Sequence, residues 1–124
     1  MISVHMYTPY SFAMQAPGDI LFTENHKKEL AYNFKWLYDR FVSKGIPVII
    51  GEYGAINKNN IHERVKWFNY FVSESAKYGM ITCLWDNGDA YPKDTFADTF
   101  GHFNRKDCNF FFPEIINAII TLSG

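Results

Sequence analysis

The chain has 124 residues, a formal net charge of −1 and 48% hydrophobic residues. This length suits one modest domain with its own core, and the apolar content excludes a disordered tail. Acidic and basic residues are interspersed without a basic stripe, so a nucleic acid partner is not expected. The apolar stretches are too short for a membrane span, and no signal peptide is expected within these residues.

Aromatic residues make up 19% of the chain, which is well above ordinary usage. Sugar-binding clefts use aromatic rings as platforms, but most of these rings are expected in the core. The two cysteines have no partners at metal-ligand spacing, and no metal is predicted.

The first predicted unit is a strand over residues 2–7, a loop rich in turn residues and a helix over 24–44. Gly45 is well placed to end this helix. The apolar residues of its predicted core face are Leu30, Phe34, Leu37 and Phe41.

The second predicted unit is an apolar strand over residues 48–50 and a helix over 61–78. Asn60 and Glu63 have the spacing of a capping box at the start of this helix, and Gly79 ends it. Its predicted apolar stripe consists of Ile61, Val65, Phe68 and Val72.

The third predicted unit begins with a strand over residues 80–85, in which Cys83 is expected to be a buried small hydrophobe. A loop over 89–109 shows little regular patterning, and a last helix begins near Pro113. The core face of this helix is predicted to contain Phe112, Ile115, Ile116, Ile119 and Leu122.

Strands that alternate with helices predict a parallel sheet, which belongs either to an open doubly wound fold or to a (β/α)₈ barrel. No Gly-rich phosphate-binding fingerprint follows any strand, which argues against a dinucleotide-binding fold. Instead, each strand ends in polar or aromatic residues, as in barrels that build one site from several strand ends.

His5, Glu52 and Trp85 are therefore predicted to line one mouth of the sheet. Each has a plainer alternative, since a lone His is more often a packed or surface residue and a Trp packs wherever it falls. Glu52 is harder to explain as structure, because Glu is poorly suited to a buried strand end unless it is paired. Asp86 is interpreted as a turn former before Gly88.

In combination, these segments resemble glycoside hydrolase family 5, the cellulase family. The matching segments are SVHMYTPY at 3–10, PVIIGEYG at 47–54, LWDNG at 84–88, and FG followed by NR at 100–105. Their order and spacing resemble strands six, seven and eight of that family's (β/α)₈ TIM barrel, over essentially the whole chain. The resemblance implies an α/β fold of three consecutive βα units in an incomplete barrel.

The resemblance also implies roles for individual residues. Glu52 corresponds to the catalytic nucleophile of a retaining mechanism, which forms a glycosyl-enzyme intermediate. Tyr7 is expected to donate its phenolic hydrogen to Glu52 and favour the charged carboxylate. His5 is expected to bond the carboxylate or a sugar hydroxyl. Trp85 corresponds to a sugar platform, and Asn87 is a weaker candidate for a sugar hydroxyl contact.

The second carboxyl of that mechanism has no counterpart in this chain. In family 5 it lies in an Asn-Glu-Pro motif on strand four, and the chain contains no such motif. Asp86 and Asp89 are substitutes only by residue type, because the family does not use them. The expectation is that residues 1–124 form the C-terminal portion of a catalytic barrel whose N-terminal portion is absent, and that the chain alone hydrolyses nothing.

The expected substrate is a β-linked glucan or a related polysaccharide, with no cofactor. The parent enzyme is expected to be secreted. Because the barrel is incomplete, the isolated chain is expected to self-associate, to borrow the missing portion of the barrel in trans, or to be poorly stable. Two further interpretations remain open, namely a non-catalytic carbohydrate-binding module and a structural α/β fragment without a function of its own.

Overall fold

The fold is a three-stranded sheet flanked by helices, seen in a computed structural model that describes residues 1–94 and 98–123. A short 3₁₀ turn at Val42–Lys44 precedes the second strand. The elements in chain order are β1 (Ile2–Met6), α1 (Tyr10–Ala13), α2 (Glu24–Arg40), β2 (Val48–Tyr53), α3 (Ile61–Lys77), β3 (Ile81–Leu84), β4 (Phe103–Asn104), β5 (Asn109–Phe110) and α4 (Pro113–Ser123).

The main sheet is parallel, with the order β1-β2-β3, as the alternation of strands and helices predicted. β2 therefore lies in the centre, and its neighbours are joined to it through α2 and α3. The register shifts between Val4 and His5 and again between Ile50 and Tyr53. Such irregularities re-aim side chains at the end of a strand, and both lie beside Glu52.

The two faces of this sheet have different surroundings. Val48 and Ile50 on one face are buried in a core that the helices share, with Phe34, Phe68 and Phe71 among its members. The opposite face is open in the part of the chain that the structure describes. Its exposed members are Ser3, His5, Ile81 and Cys83.

The prediction that Cys83 is buried is therefore wrong. Cys83 is an exposed free thiol, and Ile81 on the same face of β3 is 70% exposed. An apolar strand in a parallel sheet is normally covered on both faces, so the sequence pattern could not show that one face lacks a cover.

Helix α2 begins at Glu24 and buries the predicted core face, but it ends at Arg40, and a 3₁₀ turn replaces the last part of the predicted helix. Leu30, Phe34 and Leu37 are buried, and Phe41 is half-buried just beyond the end of the helix. Gly45 follows the 3₁₀ turn with φ of 79°, a left-handed conformation that glycine adopts without strain.

Helix α3 begins at Ile61 as predicted, but the capping box expected there is absent. The Asn60 side chain makes no capping bond. It accepts a hydrogen bond from the Lys58 backbone N–H and donates one to the Ile20 carbonyl. The Asn60 amide thus bonds the backbone two residues before it and the distant Ile20 carbonyl, instead of forming the expected capping box.

The buried side of α3 is wider than the predicted stripe. Phe68 and Val72 are buried as expected, whereas Ile61 and Val65 are only half-buried. Because α3 packs against both the sheet and α4, it also buries residues that a single stripe does not include. These further buried residues are Arg64, Trp67, Phe71 and Ser75.

The C-terminal region contains more regular structure than predicted. The loop expected over residues 89–109 contains strand β4 and the first residue of strand β5. These two strands form a small antiparallel hairpin. Helix α4 begins at Pro113 as predicted. Phe112 and Ile115 are buried and Ile116 and Ile119 are half-buried, whereas the side chain of Leu122 lies outside the described part of the chain. No helix among the described residues is long and apolar enough to cross a membrane.

Candidate active site

Glu52, Tyr7 and His5 meet at the carboxyl end of β1 and β2. His5 and Glu52 are paired in the sheet register. The Tyr7 hydroxyl donates a hydrogen bond to Glu52 Oε2 at 2.7 Å, and His5 Nδ1 lies 3.4 Å from the same oxygen. The Glu52 side chain is 27% exposed, so its carboxylate is supported by protein groups and still accessible to a ligand.

Tyr7 remains a hydrogen donor over the whole physiological pH range. Burial raises the pKa of its hydroxyl, and so do the hydrogen bond to Glu52 and the negative charge of that carboxylate. Its ring is supported by Phe100 in an edge-to-face contact at 5.4 Å between centroids. A side chain at Gly54 would lie 3.1 Å from the Phe100 ring, so a glycine there permits this packing.

Trp85 continues the third strand toward the same mouth. Its backbone N–H donates to the Tyr53 carbonyl at 3.0 Å, which places Trp85 beside the residue that follows Glu52. Trp85 is 39% exposed, so part of the indole is available to a ligand. The sequence thus correctly predicted that the ends of all three strands meet at one edge of the sheet.

Asp86 does more than form the predicted turn. Its carboxylate accepts hydrogen bonds from the backbone N–H groups of Gly88, His102 and Phe103 at 2.8, 3.1 and 2.9 Å. Burial by itself would raise the pKa of Asp86, but these three donors outweigh it and hold the pKa below its ordinary value. A group that acts as a general acid needs a raised pKa, so Asp86 is unsuited to that role.

Asn87 and Asp89 belong to the same loop. The Asn87 amide donates to the Asp98 carbonyl at 2.7 Å and accepts from the Asp89 backbone N–H at 3.0 Å. The side-chain nitrogen and oxygen of Asn87 thus both form hydrogen bonds within the loop, although the residue is exposed to solvent. The Asp89 carboxylate is exposed and lies 3.9 Å from Lys93 Nζ.

Two features of this region were missed by the sequence analysis. Phe100 was identified only as part of a motif, without its contact to Tyr7, and the buried His102 was not identified at all. Neither carries a local signal, because Phe100 packs against Tyr7 and His102 against Phe68, both of which are distant along the chain. Across residues 1–94 and 98–123, no three His, Cys, Asp or Glu side chains cluster in a way that could hold a metal ion.

Comparison with known proteins identifies one family. The family described as cellulase (glycosyl hydrolase family 5) matches residues 1–91. The chain is 37% identical to the cellulase/esterase CelE of Acetivibrio thermocellus over all of its own length and 15% of that protein. It is 39% identical to Endoglucanase 1 of Ruminococcus albus over 98% of its own length and 29% of that protein.

Solved structures give the same result. A GH5 family lichenase from Caldicellulosiruptor sp. F32 superposes with a TM-score of 0.93 at 39% identity, covering 99% of this chain and 34% of the lichenase. A mutant of that lichenase in complex with cellotetraose superposes with a TM-score of 0.92. A broad specificity GH5-4 endoglucanase from Ruminococcus flavefaciens gives 0.93 at 30% identity. The chain therefore spans about a third of the length of the solved relatives that it matches.

Proposed function

Because the chain belongs to glycosyl hydrolase family 5, we propose that it carries the nucleophile half of a retaining, endo-acting β-glucanase site. The observation that carries this proposal is the hydrogen bond from Tyr7 to Glu52 at the accessible end of β2. The neutral Tyr7 hydroxyl orients the Glu52 carboxylate, which stays accessible to a sugar.

In the proposed reaction, a Glu52 carboxylate oxygen attacks the anomeric carbon while the bond from that carbon to the glycosidic oxygen breaks. Tyr7 and His5 both contact Oε2, so Oε1 is the oxygen that we assign to the new bond. The departing oxygen takes a proton from a second carboxyl group, about 5–5.5 Å from the first in retaining enzymes. Water then attacks the anomeric carbon and gives its proton to the second carboxyl group, now a carboxylate, while the bond from that carbon to Glu52 breaks.

A β-linked glucan is the proposed substrate class. The structure of the mutant lichenase with cellotetraose supports this class by similarity. The exposed part of the Trp85 indole is suited to packing against the apolar face of a pyranose ring. Asn87 is placed near it along the chain, although its amide also holds the loop. Since polysaccharides do not enter cells, we propose that the parent enzyme acts outside them.

The second carboxyl group is proposed to come from the upstream part of a family 5 barrel. The three βα units of this chain correspond in this proposal to the last three of eight. The open face with Ser3, Ile81 and Cys83 is where the rest of the barrel would pack. We call the chain together with that upstream part, in trans or as a fusion, the complemented barrel.

Azide rescue tests the role of Glu52. The Glu52→Ala variant of the complemented barrel is incubated with 2,4-dinitrophenyl β-cellobioside, whose leaving group departs without a proton. Azide attacks the anomeric carbon from the side that the carboxylate occupied, and dinitrophenolate leaves. We expect α-cellobiosyl azide, identified by nuclear magnetic resonance. The control is Glu29→Ala on the exposed surface of α2, which should keep wild-type hydrolysis. A β-configured azide would contradict the assignment.

A carbohydrate-binding module without catalysis is the second candidate, favoured by the exposure of Trp85. Titration with cellotetraose separates the two. Under this second candidate, Trp85→Ala weakens binding, Glu52→Gln leaves it unchanged, and azide rescues nothing.

A further inference from the structure

The connection between β2 and α3, residues 54–60, is buried to an unusual degree for a loop. Ala55 and Ile56 are at most 1% exposed, and Asn57 and Lys58 are 4% and 6% exposed. Loops normally lie on the surface, because their backbone groups need water or a partner. We call residues 54–60 the connecting segment. It begins two residues after Glu52.

Lys58 fastens the connecting segment to the residues that follow β1, 8–23, which include the short helix α1 and are here called the β1 loop. Its ammonium group donates to the backbone carbonyls of Ser11, Phe12 and Asp19, each at 3.0 Å. Lysine has three donors, so its hydrogen-bonding capacity is satisfied by this loop. Burial lowers the pKa of Lys58, which is the cost of placing a cation here. The Ile56 N–H adds a bond to the Ala13 carbonyl.

Asn57 fastens the same segment to the loop that follows β3, here called the β3 loop and defined as residues 86–94 and 98–102. The Asn57 backbone N–H donates to Thr99 Oγ1 at 2.8 Å, and its side-chain amide donates to the Ala90 carbonyl at 2.9 Å. Adjacent residues of one segment thus hold the two loops on either side of it.

We propose that Lys58 and Asn57 are positioning residues, which fix the β1 loop and the β3 loop respectively against the strand that carries Glu52. Tyr7 immediately precedes the first loop and Trp85 immediately precedes the second. The two fastenings therefore set where the Tyr7 hydroxyl and the Trp85 ring lie around Glu52. The importance of this arrangement for glucan binding rests on the proposed function, whereas the fastening itself does not.

Amide hydrogen exchange tests the fastening in the complete chain. Lys58→Met removes only the ammonium donors, and Asn57→Leu removes the amide at nearly constant volume. The matched controls are Lys66→Met and Asn69→Leu on the exposed surface of α3. Reporter amides are those of Ala13, Gln15 and Asp19 in the β1 loop, and of Asp89 and Gly101 in the β3 loop.

We expect Lys58→Met to accelerate exchange in the β1 loop by about tenfold or more, with less than about twofold change in the β3 loop. Asn57→Leu should give the reverse pattern, and the controls should change neither loop. Propylammonium replaces the missing atoms in Lys58→Ala and should restore protection, whereas propanol should not. This rescue separates the ammonium from a role in packing alone.

Unchanged exchange in the β1 loop, or equal acceleration of both loops in either variant, would overturn the proposal. So would loss of protection throughout β2 and α3, which would make Lys58 a determinant of global folding. Cellotetraose titration of the same variants in the complemented barrel reports on the cleft, and weaker binding by Lys58→Met is expected. If the wild type binds no cellotetraose, the proposed function fails while the exchange result stands.

Discussion

The Glu52 carboxylate has two neighbours of unequal strength. The contact from the Tyr7 hydroxyl at 2.7 Å has the length of a good hydrogen bond to a charged acceptor, whereas His5 at 3.4 Å is at the limit of one. The His5 side chain is also 60% exposed. Tyr7 is therefore the residue that orients Glu52, and His5 remains free to turn toward a sugar hydroxyl.

Tyr7→Phe is predicted to slow the covalent reaction of Glu52 by about ten- to hundredfold, since a hydrogen bond to a charged group contributes about 1.5–3 kcal/mol. The rate is measured with 2,4-dinitrophenyl 2-deoxy-2-fluoro-β-cellobioside, which under the proposed mechanism forms a long-lived glycosyl-enzyme in the complemented barrel. Tyr10→Phe removes a hydroxyl from a residue that is 64% exposed and should react at the wild-type rate. Equal rates for both variants would show that Tyr7 does not orient the nucleophile.

His102 is predicted to make the protein less stable as the pH falls. Burial, and then the charge of Arg64, lower its pKa from 6.5 to about 4, although Asp86 opposes this shift. Between pH 6.5 and 4 the unfolded chain therefore binds a proton that the folded chain excludes. The contribution of the buried, neutral His102 to the free energy of unfolding is fully present above pH 6.5. It decreases as the pH falls, by about 3 kcal/mol at pH 4.

Urea unfolding at a series of pH values measures this effect. His102→Gln should flatten the dependence between pH 6.5 and 4, and His62→Gln, on the exposed surface of α3, should leave it intact. A dependence that survives in His102→Gln would assign the effect to other groups.

Residues at strand ends were predictable from the sequence, whereas residues held by distant loops were not. Glu52 follows an apolar run and two glycines surround it, so its position could be identified locally. Lys58 bonds carbonyl groups that lie 39 or more residues away along the chain. The backbone of His102 bonds Asp86, which lies 16 residues away. No local pattern distinguishes a lysine with three carbonyl partners from an exposed one.

At the scale of elements, α3 connects the site to the rest of the fold. Arg64 is fully buried, and its Nε and Nη2 donate to the Ala55 carbonyl at 3.1 and 2.9 Å. Its guanidinium also lies 4.9 Å from the centre of the Phe112 ring. One side chain of α3 thus joins the connecting segment to the start of α4. Helical periodicity predicted the extent of α3 well, but it could not identify a buried arginine as part of the core.

Arg64→Lys is predicted to lower the free energy of unfolding by about 2–3 kcal/mol, because an ammonium cannot reproduce the planar group that bonds Ala55 and stacks on Phe112. Lys66→Arg makes the opposite exchange on an exposed part of the same helix and should change stability by less than about 0.5 kcal/mol. Urea unfolding provides both values. Equal stability of the two variants would mean that the guanidinium geometry contributes nothing.

At the scale of the whole molecule, one face of the main sheet is open in the described structure. β1 and β3 are edge strands in the described structure, and Ile81 is 70% exposed on the uncovered side. Unpaired edges and exposed apolar side chains favour association with another chain. The alternation of elements predicted this sheet correctly, but alternation alone does not show whether a sheet is closed.

We therefore predict that the isolated chain associates in a concentration-dependent manner, measured by sedimentation velocity. Ile81→Lys should weaken association, whereas Ile20→Lys, at an exposed loop position, should not. Formation of the complemented barrel should protect Cys83 from a thiol reagent and leave Cys108 reactive, and both are exposed in the chain as described. A monodisperse monomer with a single cooperative melting transition would contradict this prediction.

The identity of the labelled residue tests whether Glu52 is the nucleophile. The complemented barrel is inactivated with 2,4-dinitrophenyl 2-deoxy-2-fluoro-β-cellobioside, digested, and mapped by mass spectrometry. We predict one sugar per chain, attached to Glu52, and no label in the Glu52→Gln variant. A label on any other residue, or undiminished labelling of Glu52→Gln, would contradict this prediction.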